Sequence, residues 1–206
     1  MTAGLLCLVA DRDMSATISG LLSRPESLGI PNIDCRLETH PRRDPGCFLE
    51  GAEFLRGQQS EAAHALVILD HDWDGAPANS GPELEELLEG RLARAGVDGW
   101  ARAVVIEPEL EAWAFSESIH VAGTLGWTDR SPGLREALAS KGLWPDDCRK
   151  PPDPKAAMEW ALKQVRVPRS SSIYGELASK VSTMNCTDRA FIRFRQILQE
   201  WFPASR

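Results

Sequence analysis

Residues 65–74 read ALVILDHDWD, a run of five apolar residues that leads directly into aspartates at alternate positions. A short, uniformly apolar run is typical of a strand that is buried on both faces, as in a parallel sheet covered by helices. Asp70, Asp72 and Asp74 then follow the carboxyl end of this strand, which is where parallel α/β sheets bind ligands. The stretch therefore predicts both a fold class and the place of a functional site.

Three further apolar runs have the character of strands. They are Leu5–Ala10, Ile33–Leu37 and Ala103–Ile106. Stretches with apolar residues at helical spacing separate the four runs, and one of them begins at Pro82, which the first turn of a helix tolerates. Strands that alternate with helices predict an α/β fold with a four-stranded, mainly parallel sheet, helices on both faces and right-handed crossovers.

The pattern changes after residue 107, where strand signals stop and only helical patterns follow. A proline-rich hinge, KPPDP at 150–154, precedes the last of these, and Arg189–Trp201 carries one apolar face. We expect residues 1–117 to form the α/β core and residues 118–206 to form a helical extension that packs on it.

Composition excludes several classes of protein. The chain has 206 residues, 43% of them hydrophobic and 26% charged, which is typical of one globular domain. The apolar stretch near the start is far shorter than the roughly 20 residues of a membrane span, and no basic segment or cleavage signal accompanies it. Five scattered cysteines with no CxxC pair indicate reduced thiols. We therefore expect a cytoplasmic protein without a membrane partner.

Charge is distributed unevenly along the chain. Residues 1–148 carry 25 acidic and 12 basic side chains, whereas residues 149–206 carry 5 acidic and 11 basic ones. The basic tail predicts either a surface for nucleic acid or an acidic partner, or a segment that docks on its own acidic body. The candidate residues of this surface are Lys155, Lys163, Arg166, Arg169, Arg189, Arg193 and Arg195.

Three of the four predicted strands end in acidic residues. Asp11 and Asp13 follow the first strand, the aspartates of DHDWDG follow the third, and Glu107, Glu109 and Glu111 follow the fourth. Carboxylates gathered at one edge of a sheet repel each other unless a cation lies among them. Oxygen ligands without His or Cys favour Mg²⁺ or Mn²⁺, which act in phosphodiester chemistry.

Two other motifs share parts of this pattern. DHDWDG fits the opening of a calcium-binding EF-hand loop, but Gly81 stands where the loop needs Glu, and the motif follows a strand. A phosphoacceptor receiver domain has acids after its first and third strands. Here the fourth strand ends in Ile106 and Glu107 without Ser or Thr, and no fifth strand ending in Lys follows. The receiver domain remains an alternative.

Taken together, the three acidic motifs resemble the Toprim-like fold, in which a first strand has an acidic end, a later strand ends in DxD and another runs into ExW. More specifically, they resemble small Toprim-like proteins of bacterial anti-phage defence, relatives of the overcoming-lysogenization-defect nucleases. The likeness covers roughly residues 4–115, and DPKAAMEWAL, SSIYGELASKV and CTDRAFIRF extend it into the tail. Within this group, the chain most resembles the small subunit of a methylation-associated defence system.

The resemblance implies a Mg²⁺ or Mn²⁺ site formed by Asp70, Asp72 and Glu111, with Asp74 as a further acid. The catalytic Glu that this family has at the end of the first strand falls on Ala10 or Asp11. The implied function is phosphodiester cleavage of nucleic acid within a defence system, in company with other proteins of the same operon. Its catalytic residues would be Asp11, Asp70, Asp72 and Glu111.

Ala10 favours an alternative function. Alanine cannot bind a metal or move a proton, and aspartate at position 11 is one methylene shorter than glutamate. A catalytically degenerate Toprim-like module that serves as an interaction partner within a defence complex is therefore the second expectation.

Overall fold

A computed structural model describes residues 3–115, 118–182 and 186–204. Within these ranges the chain is an α/β fold with one sheet of four strands, and every pair of neighbouring strands is parallel. The strands are β1 (Ala3–Val9), β2 (Cys35–Thr39), β3 (Ala62–Asp70) and β4 (Ala101–Ile106), in the spatial order β2-β1-β3-β4. The predicted α/β class and four-stranded sheet are confirmed, and the sheet is parallel throughout.

Four of the described helices alternate with the strands, and six follow the last strand. The first group is α1 (Arg12–Leu22), α2 (Pro25–Leu28), α3 (Arg43–Arg56) and α4 (Gly81–Arg94). The second group is α5 (Glu111–Ala114), α6 (Ile119–Thr124), α7 (Leu134–Ser140), α8 (Pro154–Val165), α9 (Ser171–Lys180) and α10 (Arg189–Trp201). No described helix is long and apolar enough to cross a membrane.

Helices cover both faces of the sheet. The chain moves from β1 outward to β2 and then back across the sheet to β3 and β4, so right-handed crossovers place α1 opposite α3 and α4. The central segments Ala65–Leu69 and Ala103–Ile106 are fully buried as a result. Continuous apolar runs are the sequence signal of such doubly covered strands.

The C-terminal helices pack on the body of the protein. Helix α9 lies against α1, and the two backbones approach closely at Gly20 and Gly175. A Cβ atom on Gly20 would lie 2.5 Å from the carbonyl oxygen of Gly175. Since α1 begins beside the end of β1, this contact brings the start of α9 to the carboxyl edge of the sheet. The predicted boundary after residue 117 lies outside the described residues.

Candidate functional site

A cleft of about 450 Å³ opens at the carboxyl ends of β1, β3 and β4. Acidic side chains predominate among its charged residues, and we call it the acidic cleft. Its carboxylates are Asp11, Asp13, Asp44, Asp70, Asp72, Glu109 and Glu111, and its basic residues are Arg43, Lys155 and Arg169. The structure thus brings Asp11, Asp70, Asp72 and Glu111 together from three separate motifs.

Asp70 is the last residue of β3, and its carboxylate lacks a full set of partners. Its Oδ1 atom is buried and has no hydrogen-bond partner among the described residues. Burial raises the pKa of Asp70 well above its usual value, and the nearby carboxylates of Asp44, Glu111 and Glu109 raise it further. A buried carboxylate in such surroundings either holds a proton or needs a cation.

Asp44 is a member of the site that the sequence analysis missed. It lies in the first turn of α3, and its Oδ1 accepts a hydrogen bond of 2.9 Å from the backbone N–H of Asp70. Burial raises the pKa of Asp44, although this hydrogen bond opposes the shift. The available signal was an acid in the first helical turn after β2, because that turn lies at the same edge as the strand ends.

Asp11 and Asp13 have structural partners. Asp11 is the N-cap of α1, and its Oδ1 accepts hydrogen bonds from the backbone N–H groups of Asp13 and Met14 at 2.9 and 3.0 Å. Asp13 forms an ion pair of 3.0 Å with Arg169 and accepts a hydrogen bond of 2.8 Å from the Ser171 hydroxyl. The cap fixes the orientation of Asp11 and occupies one of its two carboxylate oxygens.

The two glutamates of the fourth motif are paired with residues of the tail. Glu109 is buried and lies 2.7 Å from the ammonium group of Lys155. Glu111, only 2% exposed, accepts a 2.5 Å hydrogen bond from the Tyr174 hydroxyl and lies 3.1 Å from Arg169. Burial raises the pKa of Glu109, whereas Lys155 opposes that shift. This side of the cleft is electrostatically compensated by the chain itself.

The other two aspartates of DHDWDG differ in position. Asp72 lines the cleft with an exposed side chain, and its backbone N–H donates to the carbonyl of Pro108 at 3.1 Å. Asp74 is exposed and is not among the residues that line the cleft. The structure therefore does not bring Asp74 to the other acids.

The seven basic residues predicted to form the surface of the tail fall into three groups. Lys155 and Arg169 line the acidic cleft, whereas Arg189 and Arg193 lie at the free edge of β4. The remaining three are Lys163 and Arg166, which are exposed, and Arg195, which is half-buried. They form no ion pair with any residue that the structure describes. Charge alone does not distinguish these groups; their location does.

At the free edge of β4, α4 and α10 bind the backbone of two residues. The carboxylates of Glu85 and Glu89 accept hydrogen bonds from the N–H groups of Val105 and Ala103. The guanidinium groups of Arg189 and Arg193 donate to the carbonyls of Val105 and Ala103. Arg189 and Arg193 also form ion pairs with Glu85, and Arg193 with Glu89. This is docking of the tail on the acidic body, one of the two expectations for the tail.

The donor set of the cleft suits a hard divalent cation. Across residues 3–115, 118–182 and 186–204, no three Asp, Glu, His or Cys side chains converge in a ready-made metal cage. Mg²⁺ does not require one, because it keeps several waters and is commonly bound by one or two carboxylates. Asp70 offers a buried oxygen without a partner, and Asp44 and Asp72 line the same cleft. The residues present fit such an ion in their chemistry.

The chain matches no protein-family model, no curated protein and no solved structure. Its function is therefore inferred from the chemistry of the acidic cleft. The carboxylates around Asp70 suit a cation, and Arg43, which has no ion pair within the described structure, suits an anion such as a phosphate group. A site that holds both kinds of charge side by side is what phosphoryl chemistry requires.

Proposed function

We propose that the protein binds Mg²⁺ or Mn²⁺ at Asp70 and cleaves phosphodiester bonds of nucleic acid in the acidic cleft. The observation that carries this proposal is the Oδ1 atom of Asp70, which is buried among carboxylates without a partner in the described structure. Buried polar atoms without a partner are uncommon in native proteins, and this one is the only carboxylate oxygen of that kind among the described residues.

Asp70 and Asp72, with Asp44 beside them, are the residues that would hold the metal. When bound, the ion supplies stabilisation of negative charge on phosphate oxygens and a more acidic water ligand. Asp44 also holds the backbone N–H of Asp70, so it orients the end of β3 as well as adding negative charge. Glu111 accepts a hydrogen bond from Tyr174 and pairs with Arg169, so in this proposal it surrounds the metal ligands and does not bind the ion itself.

The cationic side of the cleft provides the binding site for the substrate phosphate. Lys155 donates one of its three N–H groups to Glu109, which leaves two donors for a phosphate oxygen. Arg43 lines the same cleft. Asp11 is the candidate general base, because its helix-cap bonds fix the carboxylate while using only one oxygen.

The motifs that resemble Toprim-like proteins meet in this cleft, and their meeting supports a wider proposal. In that proposal the protein is a cytoplasmic component of a bacterial anti-phage defence system and acts with proteins of the same operon. A methyltransferase encoded beside it would support the methylation-associated form of such a system. Neighbouring genes of unrelated metabolism would contradict it.

The test is cleavage of plasmid DNA, linear DNA and RNA with Mg²⁺, Mn²⁺ or EDTA, comparing the wild type with Asp70→Asn. Loss of even an outer-shell residue of a metal site lowers activity or affinity about 10- to 100-fold, so we expect at least about a 100-fold loss here. Asp74→Asn is the matched control, because Asp74 belongs to the same motif but does not line the cleft. Neither cleavage nor calorimetric metal binding by the wild type would contradict the proposal.

A second candidate function, a non-catalytic interaction module, is favoured by the ion pairs of the cleft. Lys155 and Arg169 already compensate Glu109 and Glu111 without a metal, and Ala10 stands near the expected catalytic position. In that case Asp70→Asn and Asp72→Ala would retain phage protection and co-purification with operon partners. Loss of protection with retained co-purification would favour the enzyme.

A further inference from the structure

A second cavity, of about 480 Å³, lies between α1, α5, α9 and the beginning of α10. Its walls are largely apolar and aromatic, and we call it the aromatic cavity. They include Leu21, Trp113, Phe115, Leu177 and Phe191. Cavities of about 300–1,000 Å³ with apolar walls and a few polar groups are the usual form of small-molecule sites.

Among the residues that the structure describes, the charged ones that line the aromatic cavity are all positive. Arg149 and Lys150 line it, whereas no described aspartate or glutamate does. Arg149 is exposed, and neither residue forms an ion pair with a described carboxylate. Lys150 donates to the carbonyl of Ala112 at 2.5 Å, which holds its ammonium group beside α5. In a chain with a net charge of −7, two basic residues at an apolar cavity that have no acidic partner among the described residues favour an anionic ligand group.

The aromatic cavity is separate from the acidic cleft. Tyr174 lines the aromatic cavity, and its hydroxyl donates to Glu111 of the acidic cleft. Leu110 lines both spaces. A ligand of the aromatic cavity would therefore lie behind Tyr174 and would not contact the carboxylates around Asp70.

We propose that the aromatic cavity binds a small molecule with an aromatic or aliphatic body and one anionic group. The body packs against Trp113, Phe191 and Leu177, and the anionic group lies at Arg149 and Lys150. Burial of the body supplies most of the binding free energy, and the charge selects acids over neutral compounds of the same shape. This proposal does not depend on the proposed cleavage of nucleic acid.

The test uses two probes of nearly the same shape, 8-anilinonaphthalene-1-sulfonate and its neutral analogue N-phenyl-1-naphthylamine. We expect the sulfonate to bind at one site by calorimetry, with a dissociation constant on the order of tens of micromolar, as is common for ligands of about 20 non-hydrogen atoms. The neutral analogue should bind about three- to tenfold more weakly, because it lacks the charge-assisted contact.

Two variants separate the apolar body from the charge. Cys186→Trp fills the cavity from its lining and should weaken both probes about tenfold or more, whereas Cys148→Trp, at a half-buried cysteine outside the lining, should not. Arg149→Gln should weaken only the sulfonate, about three- to tenfold, and Arg94→Gln, at an exposed arginine elsewhere, should weaken neither.

Near-ultraviolet circular dichroism shows whether Cys186→Trp is folded. If it is not, Arg149→Gln still provides the test, because Arg149 is exposed and its replacement should not disturb the fold. Equal affinity of wild type and Arg149→Gln for the sulfonate would overturn the anionic selectivity. Absence of binding of either probe up to about 1 mM would overturn the ligand site itself.

Discussion

Two groups of carboxylates lie near basic residues of the C-terminal part of the chain, and they differ in how completely their oxygens are bonded. At the edge of β4, Glu85 uses one oxygen for Arg189 and Arg193 and the other for the N–H of Val105. In the acidic cleft, Asp70 has a buried oxygen with no described partner. Glu85 supports the fold with both oxygens bonded, whereas the buried oxygen of Asp70 without a described partner points to Asp70 as the functional group.

The edge of β4 explains why the first group is needed. An edge strand exposes unpaired N–H and C=O groups, which bind other strands unless something covers them. Here α4 supplies acceptors for the N–H groups of Ala103 and Val105, and α10 supplies donors for their carbonyls. Charged side chains therefore take the place of a fifth strand.

The acidic cleft does the opposite, because it gathers like charges without compensating all of them. The pKa values of Asp70, Asp44 and Glu109 are all raised, in each case mainly by burial. This arrangement disfavours the ionised folded state at neutral pH. A divalent cation or a shared proton would relieve it.

The largest expected effect comes from removing both arginines at the edge of β4. Arg189→Ala with Arg193→Ala leaves Glu85, only 6% exposed, as a buried charge without a counterion. Breaking a fully buried ion pair costs about 3–5 kcal/mol of unfolding free energy, and we expect about 2–3 kcal/mol here because both arginines are partly exposed. Urea denaturation measures the loss, and Arg195→Ala on the same helix is the control, with a change within about 0.5 kcal/mol. Equal effects in the two proteins would show that the edge does not need the arginines.

The next effect is opposite in sign and concerns Asp70. Asp70→Asn removes a carboxylate whose ionisation is disfavoured in the folded protein, so we expect higher stability at pH 7 without divalent cations. The gain is set by how far the pKa is raised, at about 1.4 kcal/mol per unit, and urea denaturation at pH 7 in EDTA measures it. Mg²⁺ should stabilise the wild type and not Asp70→Asn. A loss of stability in Asp70→Asn would mean that the ionised carboxylate supports the fold.

A smaller effect is expected in the pH dependence of stability. The raised folded-state pKa values of Asp70, Asp44 and Glu109 mean that the folded protein binds more protons than the unfolded chain above about pH 4. Unfolding free energy should therefore fall as the pH rises from about 4 through these pKa values, by at most about 1.4 kcal/mol per pH unit for each group. Chemical denaturation in EDTA between about pH 4 and pH 8 measures this slope.

Asp70→Asn should make the slope shallower, since one of the groups is gone. A slope of the same size in the variant would place the proton uptake on other residues. Asp74→Asn again serves as the control, because Asp74 lies outside the cleft.

The sheet could be predicted from the sequence because its signal is local. A short, uniformly apolar run such as Ala65–Leu69 is typical of a doubly covered strand, and the observed strand Ala62–Asp70 extends the predicted one by only a few residues. The acids at the strand ends could be predicted for the same reason, since parallel strands bring their carboxyl ends to one edge.

The partners of charged residues could not be predicted, because they depend on contacts between distant parts of the chain. Glu85 lies off the apolar stripe of its helix and has the pattern of a solvated residue, yet it is buried against Arg189 and Arg193. Asp44 belongs to no motif, and its hydrogen bond to the backbone of Asp70 joins residues that are 26 positions apart. Asp74 belongs to the motif and lies outside the cleft.

The smallest expected effect concerns the basic residues that the fold leaves without acidic partners. Charge alone left open whether the tail arginines contact nucleic acid or dock on the acidic body, and Arg189 and Arg193 are bound by Glu85 and by the backbone of β4. Lys163 and Arg166 are exposed and form no ion pair within the described structure, so they are available for phosphate groups.

If nucleic acid binds through phosphate contacts, the logarithm of its affinity falls linearly with the logarithm of salt concentration, by about 0.9 per contact. Lys163→Gln with Arg166→Gln should reduce this slope by about two units and weaken binding only several-fold at moderate salt. Arg189→Gln, measured on protein shown to be folded, should leave the slope unchanged, because its guanidinium is already bound to the chain. The reverse result, a slope that depends on Arg189 and not on Lys163 or Arg166, would mean that the edge of β4 opens to bind nucleic acid.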